Sequence, residues 1–322
     1  MPGTTTDPVR KAIELPYGIG PSILVDTAGM DDVTLLGAER KRRTEQVIDS
    51  TDIAIVLDPE APSMGALLET LQEADIPTVR YHGESVEELL RKVAALIPEE
   101  SPRWLTGRLV HAGSTVVLVM PQDSEAPKGR IILPQVQVLR ELLDRGCIPV
   151  CCTPEQLPGA LASLAEKPHL VITDSQVFKQ VEAAIPKDCP LTSFSILLAA
   201  AKGDIGTFVQ GAEAVGHLQP GARILIAEAC THVPDTEDIG RVKIPALLRK
   251  RIPDLLVDIA AGNDFPEDLT PYSLIIHCGA CVASARLVKA RIKKALRAGV
   301  PITNYGIAIA YLQGILERVS LP

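Results

Sequence analysis

Three of the seven cysteines in this 322-residue chain stand where sulfur could do chemistry. Cys230 ends the apolar run Ile224-Leu225-Ile226-Ala227-Glu228-Ala229 and is followed by Thr231 and His232. Cys278 ends Leu274-Ile275-Ile276-His277 and is separated from Cys281 by Gly279-Ala280. Thiolates are the soft ligands that suit iron–sulfur clusters and zinc alike. Cys147, Cys151, Cys152 and Cys189 instead sit among apolar or turn residues with no His or acid at ligand spacing, and they read as packing residues. The odd count argues against a disulfide framework.

Spacing alone leaves three chemistries open. A 4Fe–4S cluster normally takes four cysteines, so three would leave one iron with an exchangeable ligand, with His232 or Glu237 as candidates for that position. Cys230, His232, Cys278 and Cys281 would equally close a structural tetrahedral zinc site. Cys278 and Cys281 could also form a redox dithiol, which leaves Cys230 and His232 unexplained. His277 adjoins Cys278, but neighbouring side chains on a strand point to opposite faces, so a supporting role suits it at least as well as ligation.

The elements that must position these residues follow from periodicity. Strand-length apolar runs alternate with helix-period segments almost throughout, the mark of an α/β chain of βαβ units with parallel sheets. The expected strands are 22–25, 52–57, 115–120, 148–152, 170–173, 191–195, 223–229, 255–260, 273–277 and 301–304. The expected helices are 35–48, 65–74, 85–96, 135–145, 158–165, 176–184, 205–217, 244–251, 282–298 and 307–318. Cys230 and Cys278 then end two strands whose carboxyl ends lie along one sheet edge, where open α/β folds bind ligands. A helix directly after Cys281 would favour its thiolate through the helix dipole, and Gly279 would allow a tight fold between the two sulfurs. The Pro- and charge-rich stretch 98–103 reads as a linker, giving parts at 1–100, 101–200 and 201–322. No internal repeat is evident at this level.

Composition narrows the function. Hydrophobic residues make up 46% and charged residues 22%, ordinary for a chain with buried cores. Aromatics at 3% and a net charge of −8 argue against nucleic acid and against an anionic membrane surface. With neither a signal-peptide pattern nor a run of ~20 apolar residues, a cytoplasmic protein is expected.

The run Cys230-Thr231-His232, then Thr236-Glu237-Asp238-Ile239-Gly240-Arg241-Val242-Lys243-Ile244-Pro245, His277-Cys278-Gly279-Ala280-Cys281 and Thr303-Asn304-Tyr305-Gly306, resembles HydF, the maturation GTPase family of FeFe-hydrogenases. Ala126-Pro127-Lys128-Gly129-Arg130 and Leu170-Val171-Ile172-Thr173-Asp174-Ser175-Gln176 resemble that family's dimerisation domain. The resemblance covers 104–322 well and 1–57 in part. It implies a partial P-loop GTPase-like domain, an α/β dimerisation domain and an α/β cluster-binding domain. It implies a 4Fe–4S cluster on Cys230, Cys278 and Cys281, with His232 or Glu237 near the open iron. It further implies a scaffold or carrier that passes a diiron precursor to apo FeFe-hydrogenase, working with the radical-SAM maturases as a homodimer or tetramer. Arg241 and Lys243 would then offset the charge of an anionic cargo, or serve as solvated loop charges.

Gly3-Thr4-Thr5-Thr6-Asp7-Pro8 resembles the effector loop of a GTPase, and Asp26-Thr27-Ala28-Gly29 its metal-proximal switch. The resemblance makes Thr5, Asp26 and Gly29 a vestigial nucleotide and Mg²⁺ site. The 322 residues contain no GxxxxGK[S/T] loop and no NKxD, so the chain is expected neither to hold GTP tightly nor to hydrolyse it.

Overall fold

A computed structural model describes residues 8–27, 44, 47–62, 64–97, 104–122, 129, 131–229, 238–262 and 264–322. The chain divides into two compact units, Met1–Ser101 and Pro102–Pro322.

In the first unit β1 (Val9–Leu15) and β2 (Gly20–Asp26) form an antiparallel hairpin that sets Val9 opposite Asp26. Sequence reasoning missed β1, whose charged Arg10, Lys11 and Glu14 break any apolar run. A separate parallel pair joins β3 (Ala54–Leu57) to β4 (Thr78–Tyr81) through α1 (Met64–Glu73), and α2 (Val86–Leu96) follows. Ser85 caps α2 by accepting the Glu88 N–H at 3.2 Å. The buried cluster is small, made of Ile48, Val56, Leu71 and Ile76, while Ile23, Leu24, Ile55 and Leu57 remain exposed. Most of the helix expected at 35–48 lies outside the described residues.

The second unit is α/β with two parallel sheets. The first is built from β5 (Thr115–Val119), α3 (Leu133–Asp144), β6 (Ile148–Cys152), α4 (Leu157–Ala162), β7 (Leu170–Thr173), α5 (Phe178–Ala184), β8 (Leu191–Ser193) and α6 (Phe194–Lys202). Its strand order is β6-β5-β7-β8. The second follows with α7 (Ile205–Glu213), β9 (Arg223–Ala227), α8 (Ile244–Arg249), β10 (Leu256–Ala260), β11 (Leu274–His277), α9 (Ala285–Arg297), β12 (Ile302–Asn304) and α10 (Tyr305–Leu312). Its order, β10-β9-β11-β12, repeats the first. The central strands are buried on both faces, as parallel strands covered by helices must be, so Val116–Val119 and Ile224–Ile226 read as unbroken apolar runs. One of the buried clusters spans both sheets and holds Val117, Val171, Ile196, Phe208, Leu225, Ile275 and Ile302.

The two sheets share one strand order, a likeness that periodicity did not reveal. Leu191-Thr192-Ser193-Phe194 at the β8–α6 junction matches Ile302-Thr303-Asn304-Tyr305 at the β12–α10 junction, and Gly129-Arg130-Ile131-Ile132-Leu133-Pro134 matches Gly240-Arg241-Val242-Lys243-Ile244-Pro245. The residues after the other strands differ between the two sheets, which hides the likeness from a reading of local pattern.

Candidate functional site

In the second sheet the chain leaves β9 for β10 on one side and then crosses to β11 on the other, so the topological switch lies between β9 and β11. Open α/β sheets bind ligands at that point, beyond the carboxyl ends of the strands. Ala227 pairs with His277 across the two strands, and Cys278 N–H continues the ladder to Ala227 O at 2.9 Å. The expectation that Cys278 ends a strand at this edge is met. Cys230, His232 and Glu237 lie outside the described residues, as do Thr5 and Gly29. Asp26 is exposed at the end of the hairpin in the first unit.

The Cys278 sulfur accepts two backbone N–H groups, from Ala229 at 3.1 Å and from Ala280 at 3.4 Å. Ala229 is the residue that precedes Cys230 in the sequence. Donors directed at a sulfur favour its thiolate form, since hydrogen bonds to an ionised acceptor are the stronger ones. Cys278 and Cys281 are both partly exposed, open to a ligand from solvent.

Two details differ from expectation. The left-handed residue of the Cys278–Cys281 turn is Ala280 (φ 52°), buried at 2% exposure, rather than Gly279. The helix begins at Ala285 with Ser284 as its cap, so Cys281 precedes it by a turn and the dipole argument for its sulfur loses its geometric basis.

Lys202, at the end of α6, supports the turn from below. Its ammonium donates to Ala280 O at 2.6 Å, Ala283 O at 2.9 Å and Cys281 O at 3.0 Å. Burial lowers its pKa on balance, against the upward pull of the two cysteines. Three carbonyl acceptors match the three N–H donors of the charged form, one more than a neutral amine carries.

His277 is fully buried, and both ring nitrogens are engaged. Nδ1 lies 2.8 Å from Cys278 O and Nε2 lies 3.1 Å from Arg291 Nη1. Arginine can only donate, so Nε2 accepts and Nδ1 carries the proton. Burial first, and Arg291 second, hold its pKa down at about 4. The ring is thus a neutral brace. Arg291, buried inside an otherwise basic helix, also donates to Glu228 O at 3.1 Å and to Gly262 O, and stacks on Phe265. Asn304 Nδ2 reaches His277 O and Cys278 O at 3.4 Å each, while its Oδ1 accepts from Gly306 N–H at 2.8 Å and Ser195 Oγ at 3.2 Å.

Asp238 caps a π-helical turn (Ile239–Lys243) by accepting the Arg241 N–H at 2.7 Å. Arg241 and Lys243, read from sequence as cargo charges or solvated loop charges, are both committed elsewhere. Arg241 clasps the buried Glu228, and Lys243 donates to Gln176 at 2.5 Å. Tyr305 is half-buried and its phenol packs against Gly240, where a Cβ would stand 1.9 Å from the phenol oxygen, so a larger residue at 240 would have to displace that ring. Burial above all, and then the neighbouring Cys278, Glu228 and Asp238, raise the Tyr305 pKa well above 10 and keep it a neutral phenol.

Among the other cysteines, Cys147, Cys152 and Cys189 are buried as expected, and burial raises their thiol pKa values, to about 11 for Cys152. Cys151 departs from the packing assignment because it faces solvent on the edge strand β6.

Among the described residues no three His, Cys, Asp or Glu side chains converge as a metal site, the third thiol of the predicted set being Cys230. The donors on Cys278 and the cation under the turn suit a thiolate at this position. No helix of the described residues is long and apolar enough to cross a membrane.

A comparison with family models matches residues 105–203 to the hydrogen maturase F dimerization domain and residues 206–322 to the hydrogen maturase F tetramerization domain. A comparison with curated proteins returns no match. The two domains support self-association. The chain belongs to the HydF (hydrogen maturase F) family and is a hydrogenase maturation protein.

Proposed function

We propose that Cys230, Cys278 and Cys281 hold a 4Fe–4S cluster, and that the protein is the scaffold from which a diiron precursor passes to apo FeFe-hydrogenase. The observation that carries this reading is the N–H of Ala229 on the Cys278 sulfur at 3.1 Å, which ties the second cysteine to the residue beside the first. Held by three thiolates, a cluster supplies one iron whose remaining ligand can exchange. His232 or Glu237 is the protein group proposed near that iron, and the diiron unit is cargo. The protein's own part is positional. Ala229 and Ala280 orient the Cys278 sulfur, and His277, Arg291 and Asn304 lock the strand end that bears it. GTP hydrolysis is no part of this proposal.

Anaerobic reconstitution with iron and sulfide, read by absorption and EPR, tests it. A brown protein whose colour is lost in Cys230→Ala, Cys278→Ala and Cys281→Ala, each still folded, is the expected result. A colourless protein holding one equivalent of zinc would replace the cluster by a structural site.

A further inference from the structure

The two sheets, alike in strand order, provide an internal comparison at the cysteine turn. β7 of the first half corresponds to β11 of the second, so Asp174 and Val177 stand where Cys278 and Cys281 stand. The junction match that pairs Leu191 with Ile302 also pairs Lys202 with Gln313. The position that corresponds to Lys202 is therefore filled by Gln313, an uncharged residue whose buried Oε1 finds no hydrogen-bond partner among the described residues. Lys202 belongs to the dimerization-domain match and the turn it holds belongs to the tetramerization-domain match. Nothing local in the sequence connects them.

Building on the cluster reading, we infer that Lys202 is a positioning residue for the metal group, which fixes the Cys278–Cys281 turn and sets a half-buried positive charge beside the thiolates. Its three bonds, at 2.6, 2.9 and 3.0 Å, gather three carbonyls of the turn onto one cation. They also stabilise the left-handed conformation of Ala280, a conformation costly for a residue with a Cβ. A thiolate-bound cluster is anionic and gains negative charge on reduction, so a fixed cation favours the reduced state. Net charge and hydrogen bonding near the sulfurs are known levers on cluster potential.

The test compares reconstituted wild type, Lys202→Met and Lys202→Arg by midpoint potential and by the rate of iron loss to a chelator. Lys202→Met is expected to lower the potential and to speed iron loss by about tenfold, the lower bound for losing a supporting partner of a metal ligand. Lys202→Arg keeps the charge and is expected to restore the potential toward the wild-type value even where its longer side chain leaves iron loss faster. Unchanged potentials in both variants, with wild type carrying a cluster, would overturn the role of Lys202 and leave the cluster reading standing. A wild type that takes up no cluster would overturn both. Should Lys202→Met fail to fold, the Arg variant still decides: a large fall in its potential contradicts the inference.

Discussion

Arg241 grips both carboxylate oxygens of Glu228, Nε to Oε1 at 3.1 Å and Nη2 to Oε2 at 2.6 Å, directly behind the strand end that leads to Cys230. The Glu228 side chain is 1% exposed and that of Arg241 24%. Removing the cation leaves a buried carboxylate without its charge partner, which costs roughly 3–5 kcal/mol when the pair is fully buried. Arg241→Met is therefore expected to destabilise the second unit toward the lower end of that range. Chemical denaturation checks it, and an unchanged midpoint would show that water already compensates the pair.

A second prediction concerns the approach of α7 to β12. A Cβ at Gly211 would lie 1.9 Å from Ile302 O, a backbone atom that cannot move without disturbing the sheet, and Thr303 Oγ1 bonds Phe208 O at 2.7 Å beside it. Gly211→Ala should cost about 1–3 kcal/mol as an overpacked contact, or more if β12 cannot shift. A thermal melt within a degree of wild type would contradict this close packing.

These two contacts mark what sequence reasoning could and could not reach. The runs Ile224–Ala227 and Leu274–Ile276 are apolar throughout because their strands are buried on both faces, so the sheet edge and Cys278 were legible. Helix α6 was not, since Phe194–Ala201 is as apolar as the strand before it and the reading extended that strand to Ser195. Lys202 was lost with it, its partners being 78 to 81 residues away. Arg291 was hidden for another reason. It sits among Lys289, Lys293, Lys294 and Arg297, and only the fold shows which of those cations turns inward.

The first unit supplies a third prediction. Its small core and exposed strand residues imply that it opens more readily than the second unit. Limited proteolysis should cut within residues 1–101 well before 102–322. Equal cleavage rates would be evidence against the difference.

The same unit has a pH-sensitive contact. Glu84 accepts from Lys92 Nζ at 2.8 Å and from His82 N–H at 2.7 Å, and the Lys92 bond above all lowers its pKa from 4.5 to about 2. A carboxylate with a depressed folded pKa stabilises the fold above its unfolded value, and the contribution is lost as pH falls from about 4.5 toward 2. Glu84→Gln should flatten the acid limb of the first unit's stability profile in that window. An unaltered limb would remove Glu84 from the account.

The most direct measurement of the central claim is iron and sulfide content of the anaerobically reconstituted protein, with EPR of the reduced form. About four irons and four sulfides per chain, with an S = 1/2 signal that is absent from Cys278→Ala, is the predicted result. Stoichiometric zinc, no sulfide and no signal would contradict it.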